Sequence, residues 1–73
     1  MRQHELAQAI REKNLAWQQL AEANRHVLGY QQVNHSPAGY DPLPEGWEER
    51  RSLLRERYRD ARQRCMEILR RRR

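Results

Sequence analysis

The 73-residue chain contains no phenylalanine and no threonine, and its valines and isoleucines total four. Residues that favour strands are therefore scarce, and a β-sandwich or a parallel sheet with crossovers is excluded by supply. A single cysteine, Cys65, excludes an internal disulfide framework, the usual support of a small secreted domain with a thin core. No apolar run approaches the ~18 residues of a membrane span. The opening Met1-Arg-Gln-His-Glu-Leu6 lacks the apolar stretch of a signal peptide. These absences predict a soluble chain in a reducing, intracellular setting, where the sequon Asn34-His-Ser36 is a chance match. One domain at most is expected, because even ~60 residues bury only about 60% of their unfolded surface. A large catalytic cleft is beyond such a chain.

Catalytic and metal chemistry is equally short of material. The only serines are Ser36 and Ser52, and neither carries a local nucleophile signature. His4, His26, His35 and Cys65 follow no zinc-ligand spacing. Cys65 falls on an apolar helical stripe, where a lone thiol acts as a small hydrophobe. The carboxylates are interspersed with arginine on helix surfaces, without a cleft for acid–base work. No glycine-rich phosphate loop is present. No enzymatic activity, metal or cofactor is expected.

Helix formers and charge are what the chain has in quantity: 34% of residues are charged, against a usual ~25%. Residues 3–28 lack proline and glycine and are rich in Ala, Gln, Glu and Leu, which predicts a first helix. Placed at 100° steps, Leu6, Ile10, Trp17, Leu20, Ala21, Val27 and Leu28 gather within about 120°. Lys13 and Asn24 interrupt that stripe, and Leu15 lies opposite it. Gly29 stands where a left-handed C-cap belongs.

All three glycines and all three prolines fall in residues 29–46, a predicted loop longer than the usual ~12–15 residues. The helical period returns over 47–70. Trp47, Leu54, Tyr58, Ala61, Cys65, Ile68 and Leu69 fall within roughly 100° of one another. Pro44, Glu45, Glu48 and Glu49 suit the start of that helix, and a basic tail occupies 70–73. The fold expected is all-α, a single small domain formed by an antiparallel two-helix hairpin with a long Gly/Pro-rich loop. Both tryptophans are expected in its seam.

Two local likenesses fail on their continuation. Leu43-Pro-Glu-Gly-Trp47 resembles the opening of a WW domain, but the chain continues as Arg51-Ser-Leu-Leu-Arg-Glu-Arg-Tyr58, with no later Trp or Pro. A helix-turn-helix joins its helices by 3–4 residues, far fewer than this connection holds.

Charge is segregated along the chain. Residues 1–40 carry four basic and three acidic groups, and 41–49 carry four acidic groups alone. Residues 50–73 then carry eleven arginines against three acidic side chains. Guanidinium is planar and bidentate, suited to phosphate and carboxylate. Arg50 to Arg64 read chiefly as a solvated face, with i,i+4 pairs Asp60–Arg64 and Glu67–Arg71 each worth ~0.2–0.5 kcal/mol. Arg64, Arg70, Arg71, Arg72 and Arg73 are the candidate contacts to nucleic-acid phosphates or an acidic surface. Tyr30 and Tyr40, expected in the loop, are candidate protein-interface anchors, with loop packing as the alternative.

In length, basicity, helical character and the run Arg70-Arg-Arg-Arg73, the chain resembles small regulators encoded by lytic bacteriophages that bind host RNA polymerase. That resemblance implies bacterial RNA polymerase as the partner near its RNA exit channel, with nascent RNA close by. It further implies blocked initiation, promoted terminator readthrough and a cytoplasmic location in the bacterial host cell. It rests on no diagnostic motif and transfers no residue role. The alternative is a stand-alone RNA- or DNA-binding accessory protein that contacts phosphates through its Arg-rich C-terminal helix. A third is a hairpin that inhibits another host protein. Self-association through the apolar stripes is compatible with all of them.

Overall fold

The computed structural model describes residues 2–71; the candidate contacts Arg72 and Arg73 lie outside them. Helix α1 runs Arg2–Val33 and helix α2 runs Trp47–Arg71. Between them, β1 (His35–Ser36) and β2 (Gly39–Tyr40) pair antiparallel, His35 with Tyr40 and Ser36 with Gly39. The helices pack against each other in a body of 55 × 18 × 14 Å.

The seam between the helices has a tighter period than the 3.6 of an ideal helix. On α1 Leu6, Ala9, Lys13, Ala16, Leu20, Ala23, Val27 and Tyr30 are buried or half-buried at alternating steps of three and four, with half-buried Ala21 and Gln31 beside them. On α2 the buried or half-buried positions are Trp47, Arg51, Leu54, Tyr58, Ala61, Cys65 and Ile68, in the same alternation. That is the 3.5-residue repeat of a coiled-coil seam. Ala9, Ala16 and Ala23 recur at every seventh residue, and such small side chains let two helices approach closely.

The 100° projection finds the α2 seam at Trp47, Leu54, Tyr58, Ala61, Cys65 and Ile68 but misplaces part of the α1 seam for a physical reason. An ideal helix drifts by about 20° per heptad from a 3.5 repeat, so over three heptads the projected stripe slides onto the flank. Large side chains drew it there. Ile10, Trp17, Leu28 and Leu69, all expected in the seam, are exposed. Trp17 in particular is 54% exposed, whereas Trp47 is half-buried with the rings of His26 and Tyr30 edge-on to it at 6.5 and 5.4 Å.

The loop expected over 29–46 is shorter and more ordered than its composition suggests. Helix α1 continues through Gly29, whose φ is not positive, so no left-handed C-cap forms there. Termination falls at Asn34, whose backbone N–H and side-chain Nδ2 both donate to the Tyr30 carbonyl, at 2.8 and 2.9 Å. The connection is thus 34–46. Ser36-Pro-Ala-Gly39 makes its tight turn: Pro37 presets φ, the Ala38 N–H donates to Ser36 Oγ at 3.3 Å, and Gly39 takes φ 134°. The carbonyl of Gly46, whose φ is 88°, accepts the Arg50 N–H at 2.9 Å, an i,i+4 bond in the first turn of α2.

Candidate interaction face

Each helix carries a row of side chains on either side of its seam, and the two sides of the molecule differ in chemistry. On one side α1 presents Glu5, Glu12, Gln19 and His26 at seven-residue steps, and α2 presents Arg50, Arg57, Arg64 and Arg71 at the same step. Ion pairs join these rows: Arg64 to Glu12 at 3.2 Å and Arg71 to Glu5 at 3.8 Å. These contacts replace the expected pairs Asp60–Arg64 and Glu67–Arg71 within α2.

On the other side α1 presents Ile10 and Trp17, with Ala21 and Leu28 one step further out. From α2 come Arg55, Arg62 and Leu69, with Arg59 and Met66 beyond them. Apart from half-buried Ala21 these side chains are exposed. Arg55, Arg59 and Arg62 make no ion pair among the described residues. Arg59, Arg62, Met66 and Arg70 line a shallow groove of about 350 Å³, which Gln63 and Glu67 complete. Three arginines within two turns, without ion pairs among the described residues and on the same side by heptad position as Ile10 and Trp17, make this the cationic and apolar flank of the molecule.

The candidate residues chosen from sequence are dispersed by this arrangement. Arg64 and Arg71 serve the interhelical ion pairs, whereas Arg70 is exposed in the groove. Tyr30 is not in a loop: it closes the last turns of α1, half-buried against Trp47. Tyr40 is exposed on the β-hairpin, its ring edge-on to His35 at 6.4 Å. Arg55, Arg59 and Arg62, expected on a solvated face, and Trp17, expected in the seam, instead share the open flank by heptad position. The signal that finds them is the seven-residue recurrence of Ala9, Ala16, Ala23 and of Arg50, Arg57, Arg64, Arg71, which fixes the seam and therefore its flanks.

A second depression, of about 300 Å³, lies at the loop end of the seam beside Glu22, His26, Trp47 and Arg50. His26 Nε2 stands 3.9 Å from Glu22 Oε1, and both side chains are exposed. The depression carries no hydroxyl or thiol. Among the described residues, no group of three or more His, Cys, Asp or Glu side chains is placed to hold a metal ion. Cys65 is buried with Ala9 and Ile68. No described helix is long and apolar enough to cross a membrane. No protein family, curated protein or solved structure matches the chain.

Proposed function

We propose that the chain is a non-catalytic binding module, an antiparallel helical hairpin whose second helix holds an acidic macromolecular partner. Three contacts support the polarity. Glu5 meets Arg71, Glu12 meets Arg64, and Tyr30 meets Trp47, so residue numbers fall on one helix as they rise on the other. Chain length agrees with this. Helix α2 is about 37 Å long at 1.5 Å per residue, too far for the short connection to span while folding a hairpin of its own.

The observation that carries the binding reading is the set Arg55, Arg59 and Arg62, without ion pairs among the described residues, on the same flank by heptad position as exposed Trp17. Arginine and tryptophan are the residues most enriched among energetic anchors of protein interfaces. A cluster of one charge also steers association with an oppositely charged surface. The resemblance to phage regulators supplies a specific partner, bacterial RNA polymerase, with initiation blocked and terminator readthrough promoted. That more specific form rests on size, basicity and helical character. Nucleic acid bound directly through the arginines is the alternative.

Tagged protein retained on resin and challenged with nuclease-treated bacterial lysate, then eluted in salt steps, tests the proposal. Polymerase subunits that survive nuclease, elute as salt rises and are lost from R55Q/R59Q/R62Q support it. Partners that vanish with nuclease transfer the function to nucleic acid. Full retention by the triple variant contradicts the role of these arginines.

A further inference from the structure

We infer that the flank formed by Ile10, Trp17 and Leu28 of α1 with Arg55, Arg62 and Leu69 of α2 seats a third helix, an acidic amphipathic helix of the partner. This rests on the binding-module reading above and specifies which kind of partner element is recognised. The hairpin has a thin interior: among the described residues the buried ones are Ala9, Ala16, Val27, Leu54, Cys65 and Ile68, and no large side chain is fully buried. By heptad position Ile10, Trp17, Leu28, Met66 and Leu69 share this flank, whereas the exposed Leu15, Val33, Tyr40 and Leu53 lie elsewhere. Ile10 and Trp17 stand one heptad apart immediately beside the seam, Leu28 follows on the same flank, and Leu69 and Met66 face outward from α2. A helix laid along that flank meets Ile10 and Trp17 one heptad apart, then Asn24 at the next step with Leu28 beyond it.

Charge selects the occupant. Arg55, Arg59 and Arg62 rim the flank without ion partners among the described residues, and Glu48 is the one acid at a matching heptad position, at the far end of α2. A second copy of the chain would bring the same three arginines to the contact. Glutamates bordering the apolar stripe of a partner helix would meet them as opposite charges instead. Single-stranded nucleic acid is a poorer fit, because bases stack on aromatic platforms and four of the apolar residues here, Ile10, Leu28, Met66 and Leu69, are not aromatic. On the opposite flank Arg71 and Arg64 already meet Glu5 and Glu12, so those two arginines are engaged within the hairpin. From Ile10 to Leu28 the seat is about 27 Å long, matching a partner helix of about five turns.

The full chain is titrated with three probes: a synthetic peptide with leucine at heptad seam positions and glutamate flanks, the same peptide with lysine flanks, and oligouridine. Circular dichroism and sedimentation are the readouts. The glutamate peptide is expected to gain helicity in a 1:1 complex, weakened about tenfold or more in Trp17→Ala and weakened again in R55Q/R62Q. Both variants are expected to keep the helicity of the free chain, since the replaced side chains are exposed. Equal binding of the lysine peptide, no binding of either peptide, binding of oligouridine alone, or a Trp17-dependent dimer of the free chain each overturns the inference. Nuclease-resistant polymerase capture that needs Arg55, Arg59 and Arg62 while the glutamate peptide goes unbound rejects the helix seat and keeps the acidic partner. Capture by the arginine variant as by wild type removes both.

Discussion

Ala9, Ala16 and Ala23 hold the two helices close because none has a side chain beyond Cβ. At Ala16, one of the buried seam positions, a larger group has nowhere to go without moving a helix. Ala16→Leu is therefore expected to destabilise the fold by ~1–3 kcal/mol, the usual cost of overpacking. Trp17→Ala, one residue along but on the open flank, is expected to shift stability by no more than about 0.5 kcal/mol. Thermal melts followed by circular dichroism separate the two; equal effects would contradict the assignment of seam and flank. Leu54 is buried on α2, and Leu54→Ala is expected to cost ~2–5 kcal/mol. That is comparable with the whole stability of a small domain, so the same melt should show the free variant largely unfolded. Unchanged helicity in Leu54→Ala would refute the packing.

At the scale of the elements, glycines distinguish two kinds of position. Gly29 lies within α1 and a Cβ there meets nothing within 4 Å. Gly29→Ala is expected to stabilise by ~0.5–1 kcal/mol, the ordinary helix preference for alanine, read as a higher melting temperature. Destabilisation would restore a helix end at that residue. Gly46 has equal space but φ 88°, so Gly46→Ala is expected to destabilise by ~1–2 kcal/mol.

This pair also marks what was legible in the sequence. Two helices were readable from long runs of helix formers free of glycine and proline. The end of α1 was not, because Gly29 carries the usual sign of a C-cap while Asn34 supplies the terminating hydrogen bonds. The packing face of α2 was legible at Trp47, Leu54, Tyr58, Ala61, Cys65 and Ile68, whereas on α1 Ala9, Ala16 and Ala23 were missed because large hydrophobes outweigh alanine in any projection of apolar character. Lys13 and Arg51, half-buried at seam positions, further disguised the repeat. Arg64 and Arg71 drew attention for their charge, yet that charge is engaged by Glu12 and Glu5.

At the scale of the whole molecule, the separation of charge matters more than its total. One flank joins Arg64 and Arg71 to carboxylates across the helix pair; on the other, Arg55, Arg59 and Arg62 make no ion pair among the described residues. If the helices run antiparallel in the register of Glu12 with Arg64, charge reversal at both sites should recover what either reversal loses. A double-mutant cycle is expected to return a coupling of ~0.2–1 kcal/mol, the range for exposed pairs. Coupling indistinguishable from zero would deny that contact any part in setting the register.

The central claim is that position, not net charge, makes the arginines of α2 a binding surface. It is tested most directly by comparing R55Q/R59Q/R62Q with R11Q/R25Q/R50Q, two variants that each remove three charges, in titrations of purified bacterial RNA polymerase. The first is expected to abolish nuclease-resistant binding and the second to leave it within about threefold of wild type. Equal weakening by both would contradict the claim and reduce the interaction to bulk electrostatics.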